Sequence, residues 1–596
     1  MKLSRLYSNR PEIFGPIVFR DGLNVVIADI RHPKEEDKFG HNLGKTLLIE
    51  IIDFGLLGGV DTSHVFKRHP ELFTDFVFFL EVCLPTGDYV TIRRSAAEQS
   101  KIAFKRHKER DQDFNSLPES DWDHWRESFK KAVNILDSYL AFTPIRPWSY
   151  RKGLGYFLRG QDDWRDVFQL SKFGAGKHLY WKPYLGRVLG FDDAILEEKY
   201  KADAAHSILN QKRSELQSEV SFKPADFDKL RASISVKRDE IETKLRALDS
   251  FDFHVEETGL VRSLADQIEA EVADLNQRLY NARHDLSQIE RHLADEIHFD
   301  LADVKRVFDE AQLTFPAQLA KDYEDLVEFN RRILVERRSS LTQRATELRT
   351  EITTIESENA KLSAKRQEIL RVLGGSDSLQ KFKELQRQLD EDRASIAIME
   401  AKAAKLQELI GVHDELRANK IKIDQLTAQI DQMVKKGNAR YEGIRRLFSR
   451  IIKDVLHRTA LLYLSQNGEG NLDLHAEFSD AETDLETDEA RGTTFRQLLC
   501  MAFDLAVLIS YADEPFFHFV YHDGGLERLQ TKLKVAMLQT IRQTCLEHRI
   551  QYILTALSED IPNTEEFARV RPTDDEVVLS LHDGGEAGRL FRMQTF

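Results

Sequence analysis

The sequence of 596 residues predicts an α/β globular part built from both ends of the chain and interrupted by a long antiparallel coiled coil. Three observations carry this. Between Pro224 and Pro515 there is one proline, Pro316, so almost the whole middle of the chain is free of the ring that breaks helices. Within that stretch Leu334, Leu341, Leu348, Ile355, Leu362 and Ile369 recur every seven residues, with Ala345 and Ile352 at the alternate core position, which is the heptad pattern of a coiled coil. Outside it, short apolar runs alternate with turn residues, the mark of strands in a mixed sheet.

Residues 1–195 form the first globular piece, with "NVVIA", "DFVFFLEVCL" and "YVTIRR" as strands. Residues 196–440 form the coil. Leu409, Leu416, Ile423 and Ile430 continue the seven-residue period, and Asn359 and Arg366 fall on core positions where polar side chains set register. The outgoing arm covers residues 196–250 and 260–298, and the returning arm folds back on it from a tip near 305–320, where Pro316 stands. The breaks "SFDFHVEETG" (250–259) and "LGGSDS" (373–378) lie at matching distances from that tip and predict an elbow, about 90 Å away at 1.5 Å rise per residue. Residues 441–596 form the second globular piece, with "FFHFVY" and "QYILTA" as strands.

The chemistry lies at the two ends. "GHNLGKT" (40–46) sits between the strand-like "GLNVVIA" and the amphipathic "KTLLIEIIDFGL", where a phosphate-binding loop gives way to its helix. In such a loop backbone N–H groups wrap the phosphates, the lysine reaches the outer ones and the hydroxyl residue holds Mg²⁺, which assigns Gly44, Lys45 and Thr46. Gly40 is one residue closer to Gly44 than usual, and eleven residues, 29–39, separate the strand from the loop. The loop needs an acidic partner for Mg²⁺ at a strand end. Asp513 and Glu514 follow "AVLISY", which continues a helical spacing, so Asp523 at the end of "PFFHFVYHD" is the choice. Gly524 follows where ATP-hydrolysing proteins carry a glutamate as base, and Glu527 is the nearest carboxylate able to take that part.

A loop and an aspartate separated by the entire coil form one site only if the two ends fold together. In this, with its "HNLGKT" loop, "FRQLLCMAFDLAVL" helix and "HD" strand end, the chain resembles the SMC/RecN-like ABC ATPases, and more narrowly a prokaryotic branch found in multi-component ABC ATPase systems of the defence type. The resemblance implies a head formed by N- and C-terminal lobes and an ATPase using ATP and Mg²⁺, with Asn42 also contacting the nucleotide. It implies a glutamine sensor of Mg²⁺ and water at Gln161, and a signature at Gly492, Thr493 and Thr494, although the usual Ser-Gly-Gly is missing. Thr555 stands where the family's switch histidine would fall. It further implies a homodimer through the heads, DNA as the substrate sensed, and further protein subunits, among them a separate effector.

The competing reading is a coiled-coil scaffold with a vestigial nucleotide site, favoured by Gly524, the missing Ser-Gly-Gly and Thr555 and opposed by the intact Gly44-Lys45-Thr46. "FKRHKER" (104–110) and "IRR" (92–94) form a basic patch for DNA, within a chain of net charge −15. Cys83, Cys500 and Cys545 are too far apart to suggest a disulfide framework or zinc site, and no apolar run approaches a membrane span, so a cytoplasmic protein is expected.

Overall fold

The computed structural model describes residues 1–31, 43–173, 178–219, 226–250, 259–294, 318–372, 377–479, 493–562, 565–594 and 596. The chain is a mixed helix and strand protein with very long helices. It divides into two compact units, Met1–Ile208 with Arg417–Phe596, and Leu209–Leu416.

The strands, all in the first unit, are β1 (Lys2–Ser8), β2 (Ile17–Val18), β3 (Leu23–Asp29), β4 (Val77–Cys83), β5 (Tyr89–Ser95), β6 (Lys101–His107), β7 (His124–Ser128), β8 (Leu158–Arg159), β9 (Thr459–Gln466), β10 (Leu472–Ser479), β11 (Phe519–His522), β12 (Gln551–Leu557) and β13 (Val577–His582). Five of them form a parallel sheet in the order β13-β3-β12-β11-β8. β3 and β8 come from the first two hundred residues and the other three from the last hundred, so the sheet closes only when both ends meet. Its central strands are continuous apolar runs, as strands covered on both faces must be: Val25, Val26 and Ala28 of β3, and residues 551–556 of β12, are buried.

β2-β1-β4-β5-β6-β7 form an antiparallel sheet, and β9 and β10 a hairpin. Glu81 on β4 is buried and accepts hydrogen bonds from Ser4 Oγ at 2.6 Å and the Asp111 N–H at 3.0 Å, so its charge is satisfied locally. The hairpin turn meets the roots of the long helices: Lys199 Nζ, wholly buried, donates to Asp203 at 2.7 and 2.8 Å and to the Glu469 carbonyl at 3.0 Å. Gln466 Nε2 donates to the Thr427 carbonyl at 2.9 Å.

The helix Thr493–Ser510 is apolar on almost every side and correspondingly buried, with Leu498, Leu499, Ala502, Leu505, Ala506 and Leu508 at most 1% exposed. This is the helix that the spacing of "AVLIS" predicts. Glu514 beyond it is paired with Arg440.

In the second unit the helices Gly259–Ala294 and Gln318–Val372 run antiparallel, with Glu269 against Arg366, Arg283 against Glu356, and Glu290 against Arg349. Leu348 and Ile355 of the heptad train are buried, Leu348 packing with Ala282 and Ile352. The polar core positions find partners across the pair: Asn359 Nδ2 donates to Asn276 Oδ1 at 2.6 Å, and Arg366 Nε lies 2.6 Å from Glu269. The helix Phe227–Asp249 is tied to Asp377–Lys436 by Lys237 and Lys244, both on Asp392, at 3.2 and 2.5 Å. One groove of about 760 Å³ is lined jointly by residues between Glu269 and Arg283 and between Lys383 and Ser395.

Of the arm expected over 196–250, Asp193–Glu219 and Phe227–Asp249 are helices, and residues 220–225 lie outside the described residues. Most of the breaks expected at 250–259 and 373–378, and the tip expected at 305–320 up to residue 317, lie outside the described residues.

Candidate nucleotide site

The parallel register sets the carboxyl ends of β8 and β11 beside the last three residues of β12. His522 of β11 stands opposite Arg159 of β8 and Leu554 of β12, so the next residues, Asp523, Gly160 and Thr555, form one row along the sheet's edge. That edge is where open α/β sheets bind ligands. The helix Lys45–Gly55 starts beside it, and Gly44 is its N-cap with φ 99°. A Cβ on Gly44 would lie 2.7 Å from the Leu590 Cβ, so glycine is required both by the backbone angle and by the close approach of residue 590. Leu590 N–H also donates to the Leu43 carbonyl at 3.1 Å, which fixes the segment just before the helix.

Lys45 is 5% exposed, and its Nζ lies 2.8 Å from Glu527 Oε1. Thr46 Oγ1 donates to Asp523 Oδ2 at 3.1 Å. The other Asp523 oxygen accepts from Thr555 Oγ1 at 2.5 Å, and the same hydroxyl accepts from the Gly524 N–H at 2.8 Å, using both faces of its chemistry. Gln161, opening the turn Gln161–Arg165 after β8, donates from Nε2 to Glu527 Oε2 at 3.4 Å. Asp523 has no exposed surface, and burial pushes its carboxyl above the usual range, opposed by the hydrogen bonds from Thr555 and Thr46 and by the Lys45 charge.

Lys45, Thr46, Gln161, Asp523 and Glu527 are thus brought together from positions up to 482 residues apart. Gly40, Asn42 and Gly492 lie outside the described residues, and Thr493 is the first residue of its helix. Thr494 Oγ1 donates to the Arg528 carbonyl at 3.2 Å, and Gln497 Nε2 donates to the Gly524 carbonyl at 2.9 Å.

Gly524 has φ 67°, and a Cβ there would stand 2.9 Å from Glu527 Cδ. A glutamate at 524 and Glu527 in its present place are mutually exclusive, so the departure at 524 and the carboxylate at 527 belong to one arrangement.

The donor set suits nucleotide phosphates with Mg²⁺. It offers a helix N-terminus without a Cβ in the way, an ammonium held by an exchangeable carboxylate, and a hydroxyl beside a carboxylate. Among the described residues no three His, Cys, Asp or Glu side chains gather to hold a metal alone.

Sequence reasoning missed a second buried group behind the site. Arg159 and Asp504 form a two-pronged ion pair at 2.8 Å for each contact, His522 Nε2 lies 3.1 Å from Asp504 Oδ2, and His522 Nδ1 lies 2.5 Å from the Tyr552 hydroxyl. The signal available was a lone acid in the apolar "QLLCMAFDLAVL" and a lone base in "YFLRG". The basic patch also changes. Arg94 is 2% exposed and donates to the carbonyls of Phe54 and Gly58, capping the C-terminal end of the Lys45–Gly55 helix rather than facing solvent. Arg106 pairs with Asp88 at 2.6 Å, and Lys105 donates to the Asp121 carbonyl at 2.7 Å.

Residues 451–595 match the family described as "Uncharacterised protein conserved in bacteria (DUF2326)". No curated protein matches the chain. Among solved structures it is similar to the Smc head domain with a coiled coil and joint from Pyrococcus yayanosii, at 14% identity and TM-score 0.35, over 93% of this chain and 92% of that one. It is also similar to the Smc head domain with an extended coiled coil from Pyrococcus furiosus, bound to the C-terminal domain of ScpA, at 12% identity and TM-score 0.32, over 94% and 90%.

Proposed function

We propose that the chain is an ATPase of the SMC-like ABC type, in which two heads dimerise over ATP and thereby change the state of the coiled-coil arms. The observation that carries this reading is the convergence of Lys45, Thr46, Asp523, Gln161 and Glu527 at the carboxyl edge of a parallel sheet made from both chain ends. Lys45 and the first N–H groups of the Lys45–Gly55 helix would hold the phosphates, and Thr46 and Asp523 the Mg²⁺. Bound nucleotide supplies a phosphoanhydride open to attack by water.

Glu527 gives up its contact with Lys45 to the incoming phosphates, one anion replacing another, and is left with Gln161 as its neighbour. Its carboxylate then takes the proton of the attacking water, with Gln161 orienting that water. Thr555, standing where the family's switch histidine would fall, fastens Asp523 and the Gly524 N–H. A carboxylate in this place favours a working ATPase over the vestigial scaffold. The signature expected at Gly492, Thr493 and Thr494 would serve the nucleotide of the partner head. The groove shared by Glu269–Arg283 and Lys383–Ser395 supports an elbow in the arms. DNA sensing and control of a separate effector, in genome maintenance or in defence against foreign DNA, are the output this reading assigns to the arms and partners.

Light scattering with and without ATP and Mg²⁺ tests it. The mass doubles for the wild type and stays monomeric for Lys45→Ala and Asp523→Ala. A mass and a nucleotide affinity indifferent to both substitutions would return the protein to the scaffold reading.

A further inference from the structure

The buried group behind the site joins four elements that the phosphate chemistry does not itself connect. Arg159 ends β8, Asp504 lies within the helix Thr493–Ser510, His522 ends β11, and Tyr552 lies in β12. All four are fully buried. Asp504 as a carboxylate can only accept, so His522 carries its proton on Nε2 and its Nδ1 accepts from the Tyr552 hydroxyl. A buried ion pair is weak support for stability, because apolar side chains of similar volume serve as well. Its value here is directional. Beyond Asp504, the Arg159 guanidinium donates to the carbonyls of Asp163 at 2.8 Å, Asp166 at 3.2 Å and Val167 at 3.2 Å. One rigid fork therefore grips the middle of a helix on one side and the turn that begins at Gln161 on the other.

The same turn is held from two further directions. Trp164 Nε1 donates to the Asp523 carbonyl at 3.0 Å, and Arg496, one turn into the helix, donates to the Arg165 carbonyl at 2.9 Å. The Asp523 N–H returns to the Arg159 carbonyl at 3.0 Å.

We propose that Arg159 is a positioning residue: its fork on Asp504 makes the Gln161–Arg165 turn and the Thr493–Ser510 helix one rigid piece. A displacement of the helix's N-terminal end by a partner head is then felt at Gln161, and through it at Glu527. The inference rests on the ATPase reading for its consequence but not for its mechanics.

The test uses the full chain with Asp504→Asn, Arg159→Lys and the apolar pair Arg159→Met/Asp504→Leu. Hydrogen exchange without nucleotide reads the mechanics: amides of residues 160–167 lose protection by about ten-fold or more in the single variants, while those of β3 and β12 stay as in the wild type. Steady-state kinetics read the consequence: kcat falls about ten-fold or more with KM within about two-fold, since Lys45 and Thr46 are untouched. The apolar pair regains thermal stability without regaining kcat. Recovery of kcat with stability, or a raised KM at unchanged kcat, would reduce the cluster to packing and overturn the inference. If the wild type neither binds nor hydrolyses ATP, the ATPase reading fails and the exchange arm alone decides, unchanged protection at 160–167 overturning the positioning role.

Discussion

Glu527 and Gly524 show how a single backbone angle redistributes chemistry. With φ 67° at Gly524 the chain turns back, and the carboxylate three residues later reaches Lys45 and Gln161. Glu527→Gln is expected to lower kcat by about 100-fold while leaving ATP bound, so that the dimer accumulates in light scattering. Gly524→Glu does not rescue it, because its Cβ meets residue 527 and the left-handed angle strains any L side chain. Two half-buried histidines set a pH dependence. Burial pushes His64 and His518 down to about 4. In the unfolded chain each takes its proton near pH 6.5, so between about 6.5 and 4 the unfolded state binds more protons and stability falls as pH falls. Thermal unfolding across that window shows the decline, and His518→Gln flattens part of it.

At the scale of elements, the Lys45–Gly55 helix depends on what stands behind its first residue. Gly44→Ala combines a strained angle with a Cβ 2.7 Å from Leu590, and it costs stability by more than about 1 kcal/mol. Leu590→Ala in the same chain keeps the Cβ that makes the contact and leaves the angle strained, so denaturant midpoints do not recover. In the coil, Leu348→Ala removes a side chain 2% exposed between Ala282 and Ile352 and is expected to cost about 2–4 kcal/mol in chemical denaturation. The heptad positions were legible because a seven-residue period needs no tertiary knowledge.

For the whole molecule, the division of the parallel sheet between the chain's ends makes a direct prediction. A chain in which residues 209–416 are replaced by a Gly/Ser linker keeps every strand of all three sheets and should still unfold cooperatively and bind nucleotide. The first 195 residues alone should not fold, because β3 lacks β12 and β13 on its two sides and β8 lacks β11. Co-expression with residues 441–596 restores solubility if the sheet forms as described.

The sequence alone determined that strands flank a long helical middle, because apolar period and proline placement are local properties. It also singled out Lys45, Thr46 and Asp523, because loop, helix start and strand end are short patterns. Only the tertiary structure decided that Glu527 meets Lys45 and Gln161, that Thr555 holds Asp523, and that Arg159 joins Asp504 across 345 residues. Those contacts depend on strand order and on the φ of one glycine, and neither leaves a periodic trace in the chain. Arg94 makes the same point in reverse: its place in "IRR" looks like surface charge, and only the packing of β5 against the end of a helix turns it inward.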